Sequence, residues 1–227
     1  MEETVNEIIF QLEELRDTKN ISGMEHYGIV TKGNAFGVPA TDLNRIAKKY
    51  KYNQKLAEAL WETGFHEAKK LAALIADKKE FSPELMDKWT SEFYSWDICD
   101  NACSHIFRDL PFAYDKVFEY AASDEEYIRR TAFSLIAALT VSGKKSPDEK
   151  FLPYLPLIEH YAGDDRNFVK KAVNWALRQI GKKSKGLYPH ALALAEKLAS
   201  SENKSAAWIG KDAVKELKSE KIKARIK

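Results

Sequence analysis

The sequence has only two cysteines among 227 residues, no long apolar run and a net charge of only +2. No stretch approaches the roughly 18–20 apolar residues of a membrane-spanning helix, which predicts a protein without membrane contact. The opening Met1-Glu2-Glu3-Thr4 is acidic, unlike the basic start of a signal peptide. Together with the scarcity of cysteine, these absences predict a cytoplasmic protein.

The two cysteines, Cys99 and Cys103, lie four residues apart on one predicted helix. A disulfide between them needs a distorted helical turn. As metal ligands they need two further partners, and only His105 is near in sequence. We therefore predict two small buried thiols, with no metal and no other cofactor.

What the sequence has in abundance is helical periodicity, and no segment alternates convincingly as a strand. Residues 128–139 place apolar and small side chains on one stripe, and residues 169–180 repeat the pattern. Ser82-Pro83 is a helix start signal, and Gly181 is a stop signal after Ile180. With 44% hydrophobic residues for a continuous core, we predict an all-α protein of about a dozen helices joined by short turns.

A weak internal repeat runs through these helices. A basic pair followed by small and apolar residues occurs at Lys69-Lys70, Arg129-Arg130 and Lys170-Lys171, and a degenerate copy contains Lys211. The last three copies are 41 and 40 residues apart, the length of a two-helix HEAT-like unit, and the earlier gap of 60 residues has room for one more pair centred on Trp96. The spacing predicts a HEAT-like helical-repeat solenoid, an α-α superhelix in a C-shaped stack, with residues 1–227 forming a single domain.

Charge is divided unevenly along the chain. Residues 164–227 carry 16 Lys and Arg against 7 Asp and Glu, a net of +9, whereas residues 1–163 carry a net of −7. If one helix of each pair lines the concave surface of the solenoid, Lys70, Arg130, Lys171 and Lys211 recur along it. A phosphate backbone is a natural partner for this basic series, and a solvated lysine-rich scaffold is the alternative.

Trp96 and Asp100 are four residues apart and therefore adjacent on one face of a helix, away from its apolar stripe. A large indole beside a carboxylate outside the core is unusual. Ordinary packing is the alternative explanation, since tryptophan is highly buried on average.

Trp175 also lies outside the apolar stripe of its helix. It is grouped with Lys171, Arg178 and Lys182 at steps of four, three and four residues, on the basic side of the helix. This spacing favours a nucleic-acid contact, with packing again as the alternative.

Four sequence motifs, taken together, are specific enough to indicate a protein family. They are Ser-Trp-Asp-Ile-Cys-Asp (95–100), Tyr-Ile-Arg-Arg-Thr-Ala (127–132), Asn-Phe-Val-Lys-Lys-Ala-Val-Asn-Trp-Ala-Leu-Arg (167–178), and Asn-Ala-Phe-Gly-Val-Pro (34–39) with Asp42-Leu-Asn44. With these motifs, essentially the whole chain resembles the DNA alkylation repair enzymes, HEAT-like-repeat glycosylases specific for N3- and N7-alkylpurines.

The resemblance implies a role for each motif. It places the catalytic carboxylate on Asp100, the two lesion-flanking tryptophans on Trp96 and Trp175, the cleft arginine on Arg130 and an N-terminal aromatic that borders the lesion on Tyr27. One position departs from the pattern: the better-studied branch has two successive tryptophans before the first aspartate, whereas the first of them is Ser95 here.

The resemblance further implies a monofunctional DNA glycosylase that removes cationic alkylpurines from double-stranded DNA. In this family the lesion is approached from the duplex surface, so no base-reading pocket is expected. We expect a monomer that is associated with the nucleoid when bound to DNA. Two other functions stay open: a nucleic-acid-binding solenoid without catalysis, which has no need of Asp100, and a protein-binding HEAT scaffold, which has no special use for two tryptophans around a carboxylate.

Overall fold

The computed structural model describes residues 1–143 and 145–226, without the side chain of Arg225. These residues form fourteen α-helices and two short 3-10 turns, at 107–109 and 148–150, and contain no strand. The predicted all-α class is confirmed. The helices are α1 (Glu2–Glu14), α2 (Thr18–His26), α3 (Ala40–Ala47), α4 (Gln54–Glu62), α5 (His66–Ile75), α6 (Pro83–Ser91), α7 (Trp96–His105), α8 (Ala113–Ala121), α9 (Glu126–Ser142), α10 (Tyr154–Tyr161), α11 (Asn167–Lys183), α12 (Leu187–Ala199), α13 (Lys204–Leu217) and α14 (Glu220–Ile226).

The helices are divided between two compact units, Met1–Pro111 with α1 to α7 and Phe112–Lys227 with α8 to α14. The single domain expected over residues 1–227 stays a prediction. Among the described residues, none of the helices has both the length and the apolar character needed to cross a bilayer.

In the first unit, α3 packs on α5 and α5 packs on α7. Several polar contacts join residues 31 positions apart, among them Phe36 with Glu67, Trp61 with Glu92, and His66 with Asp97. This half of the chain therefore repeats at a shorter interval than the second half. Three helices, α6, α7 and α8, lie in the 60-residue gap between the first two basic pairs, and α8 packs on α9. This leaves α6 and α7 for the extra pair predicted around Trp96.

In the second unit, α9 packs on α11 and α11 packs on α13. These three helices begin at residues 126, 167 and 204 and carry the three basic-pair copies that were predicted to be equivalent. Contacts between neighbouring helices of the series join residues 38 positions apart, as between Asn174 and Asp212. α9 is buried along its middle on all sides, from Arg130 to Thr140, so it is a central helix of this unit rather than an amphipathic one.

Two local predictions have different outcomes. The Ser82 hydroxyl caps α6 by accepting a hydrogen bond from the backbone N–H of Leu85 at 3.2 Å, as predicted. The predicted stop at Gly181 is wrong, because α11 continues to Lys183. Gly181 is buried, and a Cβ there would lie 2.7 Å from a methyl carbon of Leu217, so this glycine allows α11 to approach α13 closely.

Cys99 and Cys103 are buried in the core of the first unit, as predicted. They lie on α7 among its buried residues, where a small thiol behaves as an apolar side chain.

Candidate functional site

The first turn of α7 is tied to the segment that follows α2. Trp96 is the first residue of α7 and partly exposed, and its indole N–H donates to the backbone carbonyl of Tyr27 at 3.2 Å. The hydroxyl of Ser95, the residue immediately before Trp96, accepts a hydrogen bond from the backbone N–H of Val30 at 3.3 Å. The Tyr27 side chain is left 72% exposed. The structure thus brings together two of the predicted lesion-binding residues, Trp96 and Tyr27.

Asp100 lies one turn further along α7, on the same face as Trp96, and is partly exposed. The next residue, Asn101, points elsewhere: its side-chain amide donates to the backbone carbonyl of Lys70 on α5 at 3.2 Å. This contact fixes the rotation of α7 relative to α5. The sequence-predicted face with Trp96 and Asp100 is therefore held in place by neighbouring side chains of the same unit.

A second carboxylate, Asp97, is buried in the same turn and only 7% exposed. One of its oxygens accepts from the Ser95 hydroxyl at 2.8 Å. The other oxygen lies 2.8 Å from Nε2 of His66 and 3.0 Å from Nζ of Lys70. We call these four residues the Asp97 network. Burial opposes the charged form, but the His66 hydrogen bond, the charges of His66 and Lys70 and the Ser95 hydroxyl together hold the pKa of Asp97 well below its ordinary value.

The other ring nitrogen of the buried His66, Nδ1, lies 3.4 Å from the hydroxyl of Tyr94. Burial, followed by the nearby carboxylates of Asp97 and Glu67, raises the pKa of the Tyr94 hydroxyl above its ordinary value. Tyr94 is therefore a neutral hydrogen-bonding group at physiological pH. No single motif indicated the Asp97 network, because its members come from two helices that the chain joins only on folding.

Lys70 has a different environment from that expected of a member of the basic series. Its ammonium group is held by Asp97, and its side chain is 23% exposed. It therefore balances a buried charge in the first unit. Its contact with DNA stays a prediction.

The motif at 34–39 is organised by Glu67 of α5. The Glu67 carboxylate accepts the backbone N–H groups of Phe36, Gly37 and Val38 at 2.9, 2.7 and 3.2 Å. Gly37 has a φ of +77°, and a Cβ there would lie 2.3 Å from the Asp17 carbonyl oxygen, so only glycine fits. An open groove of about 330 Å³ lies beside this loop, with Tyr27, Lys70 and Asp97 among its lining residues.

In the second unit, Arg130 is buried and only 5% exposed. Its guanidinium donates to the backbone carbonyl of Phe168 at 2.6 Å, while the Phe168 ring stacks on Tyr127 with centroids 6.0 Å apart. Arg130 is therefore much less exposed than Lys171 and Lys211, and its expected place on the concave surface stays a prediction. Its guanidinium joins α9 to α11, because the close packing of these helices leaves the carbonyl of Phe168 within its reach.

Trp175 is partly exposed on α11. With its oxygen turned toward the indole, the Gln179 side chain accepts from Trp175 Nε1 at 2.9 Å. Arg178 and Lys182 of the same stripe both donate to one carboxylate, that of Glu216 on α13, each at 2.5 Å. The pKa of Glu216 is lowered because these two cations outweigh the effect of its burial.

The two remaining members of the basic series, Lys171 and Lys211, are exposed. Neither makes an ion pair with a residue in the described ranges. They are therefore the members of the series in the second unit whose charges are available to an external anion.

Comparison of the sequence with known protein families identifies the family of this chain. The sequence model described as "DNA alkylation repair enzyme" matches residues 8–217, most of the chain. The chain belongs to the DNA alkylation repair enzyme family. The resemblance carried by the four motifs is confirmed. No curated protein matches the chain.

A solved structure described as belonging to "a new family of proteins related to the HEAT-like repeat DNA glycosylases with affinity for branched DNA structures" is 23% identical. The match covers 93% of this chain and 94% of that one, with a TM-score of 0.77, which confirms the HEAT-like fold. A designed armadillo repeat protein in complex with a peptide is 14% identical over 82% of this chain and 89% of its own, with a TM-score of 0.38, too low to carry an argument.

Proposed function

We propose that this protein is a monofunctional DNA glycosylase. It hydrolyses the N-glycosidic bond of cationic N3- and N7-alkylpurines in duplex DNA and so begins base excision repair. One observation supports the proposal most strongly. In this chain of the DNA alkylation repair family, Trp96 and Asp100 share one face of α7, and the Trp96 indole donates a hydrogen bond to the backbone carbonyl of Tyr27. We further propose that it acts as a cytoplasmic monomer, associated with the nucleoid when it is bound to DNA.

The chemistry needs few groups. Alkylation at N3 or N7 makes the purine cationic, so the glycosidic bond is already weakened and the leaving base needs no protonation. The remaining tasks are to stabilise the sugar cation that develops as the bond breaks and to deliver water to its anomeric carbon. An indole face attracts a cationic base with about 0.5–2 kcal/mol, which favours the lesion over neutral purines.

The two carboxylates of α7 are suited to different tasks. Both oxygens of Asp97 are occupied by Ser95, His66 and Lys70 in a buried site, so Asp97 supports the helix. Asp100 is partly exposed, and we assign to it the stabilisation of the sugar cation and the orientation of water. On the family resemblance, Trp175 contacts the lesion and Arg130 is the arginine of the DNA cleft.

For the DNA backbone, we assign phosphate contacts to the exposed Lys171 and Lys211. Arg178 and Lys182 contribute less in this proposal because Glu216 already neutralises part of their charge. The proposal therefore predicts a moderate salt dependence of binding that is carried mainly by the exposed lysines.

The experiment is an assay of base release from methylated duplex DNA. The protein is expected to release 3-methyladenine, 7-methylguanine or both, and to leave abasic sites whose strands break only after alkali treatment. Trp96→Ala should lower release from methylated DNA more than it lowers affinity for unmethylated duplex, because the indole acts on the cationic base. Strand breakage without alkali would contradict a monofunctional mechanism.

A second candidate function is DNA binding without excision. It is favoured by the similarity to a solved structure whose description names affinity for branched DNA. If the wild-type protein binds DNA but releases neither methylated purine, this second function replaces the first. A protein-binding scaffold would show neither binding nor release.

A further inference from the structure

Trp208, on α13, is the most exposed tryptophan of this protein. All five tryptophans lie in the described ranges: Trp61 and Trp89 are buried, Trp96 and Trp175 are partly exposed, and Trp208 is 41% exposed. Neither the excision chemistry nor the predicted basic series uses it. Tryptophan is enriched at contact surfaces because its indole joins a large apolar ring to an N–H donor.

The position of Trp208 follows from the contacts between α11 and α13. Three of these contacts join residues 38 positions apart, one helical turn after another. Asn174 donates to Asp212 at 2.7 Å and Arg178 donates to Glu216 at 2.5 Å. In the first contact of the row, Lys170 Nζ lies 5.3 Å from the centroid of the Trp208 ring. On α13, the Trp208 indole therefore occupies the position that the carboxylates of Asp212 and Glu216 occupy in the next two turns.

The helix face around Trp208 is basic. In chain order, the residues Lys204, Trp208, Lys211 and Lys215 follow one another at steps of four, three and four. This spacing places all four on one exposed stripe of α13. The three lysines make no ion pair with any residue in the described part of the chain. Asp212, which follows Lys211 in the chain, is hydrogen-bonded by Asn174 and ion-paired with Arg178 at 3.7 Å. The stripe therefore presents uncompensated positive charge on both sides of an indole.

The stripe of α11 provides an internal comparison. Lys171, Trp175, Arg178 and Lys182 have the same spacing of four, three and four. There, Glu216 binds Arg178 and Lys182, and the Gln179 amide accepts from the Trp175 indole. Two of the three cations of the α11 stripe are thus paired with a carboxylate within the protein, whereas the lysines of the α13 stripe are not.

We propose that Trp208, with Lys170, Lys204 and Lys211, is a binding site for unpaired nucleotides of DNA. The indole stacks on an exposed base, while the flanking lysines contact the phosphates on either side. This combination of an aromatic platform with cations is how proteins bind single strands without reading sequence. Bases within a duplex are already stacked on each other, so the indole acts only where a strand is unpaired. The site does not depend on excision and adds a second substrate class, DNA with a single-stranded segment.

The test uses the full-length protein and two labelled DNAs: a single strand of about 12 nucleotides, within the range that such sites cover, and a blunt duplex. Affinity is measured by fluorescence anisotropy. Trp208→Ala should weaken single-strand binding about tenfold, the effect of losing one stacked base, and change duplex binding by less than about twofold. Trp208→Phe should retain most of the affinity. Phe118→Ala, which removes an exposed aromatic from α8, is the matched control and should change neither.

A single strand with 2-aminopurine at its centre reports the stacking itself. Its fluorescence should be quenched on binding by the wild-type protein and much less by Trp208→Ala. Equal losses on single strand and duplex would overturn the proposal, because the indole would then act only by supporting the fold or the phosphate contacts. Unchanged single-strand affinity in Trp208→Ala would also overturn it and would leave a protein partner as the occupant of this surface.

Discussion

Replacing Asp97 by Asn should destabilise the protein, whereas the same substitution at Asp100, three residues later on α7, should not. Asparagine keeps the shape of the side chain but removes the charge and turns one acceptor into a donor. In the Asp97 network the amide oxygen can still accept from His66 and Lys70, and the amide NH2 can donate to the Ser95 hydroxyl. The negative charge is lost, however, so the Lys70 ammonium would keep no charged partner at this buried position.

The magnitude follows from burial. Removing one partner of a buried ion pair costs about 3–5 kcal/mol. Because the Lys70 side chain is 23% exposed and recovers some hydration, we expect about 2–4 kcal/mol for Asp97→Asn. At about 2–4 °C per kcal/mol for a chain of this length, the midpoint of thermal unfolding should fall by roughly 5–15 °C. Asp100→Asn, at a partly exposed position, should change stability by less than about 1 kcal/mol.

Urea unfolding followed by circular dichroism measures the difference, with the slope m compared between variants. The pH dependence gives an independent check. The pKa of folded Asp97 lies below that of the unfolded chain, near 3.9, so its contribution is present in full above about pH 5. It is lost as the pH falls through the lowered pKa. The stability gap between wild type and Asp97→Asn should therefore narrow as the pH falls below about 4.

The reasoning would be refuted if Asp97→Asn and Asp100→Asn were equally stable at pH 7. A gap that widened as the pH fell below about 4 would contradict the direction of the Asp97 pKa shift.

Two further predictions concern packing and charge. Gly210→Ala should lower the free energy of unfolding in urea by about 1–3 kcal/mol or more, because a Cβ there would lie 2.1 Å from the backbone nitrogen of Ala199. A stabilised variant would contradict the close approach of α12 and α13. Lys211→Ala should lower the slope of log affinity against log salt for duplex DNA by about one unit, and Arg178→Ala should lower it less, because Glu216 already pairs with that guanidinium. Equal slopes for the two variants would show that the internal ion pair does not limit Arg178.

The fold was predictable because its signal is local and repeated. The apolar stripe at 169–180 becomes the buried side of α11, and the basic pairs spaced by 40 and 41 residues mark α9, α11 and α13. The prediction at Gly181 was wrong because a glycine that ends a helix and a glycine that admits a neighbouring helix look the same in one sequence. Only the position of Leu217 in space distinguishes them.

The candidate site was predictable only in part. Trp96 and Asp100 were identified because helical spacing alone places them on one face. The contacts that hold this face, from His66 and Lys70 to Asp97 and from Val30 to Ser95, join residues 27 to 65 positions apart, a separation that no local pattern reports. Charge was the least predictable property, since the availability of a lysine or arginine depends on the carboxylates that folding brings near it.

Asp100 tests the central claim most directly. The measurement is single-turnover release of 7-methylguanine from methylated duplex DNA by wild type and Asp100→Asn, at enzyme concentrations that saturate the DNA. We predict a rate about 10²-fold or more lower for Asp100→Asn, the scale of losing one preorganised electrostatic group, with DNA affinity unchanged or slightly higher. Equal rates of release by the two proteins would contradict the assignment of Asp100 as the catalytic carboxylate.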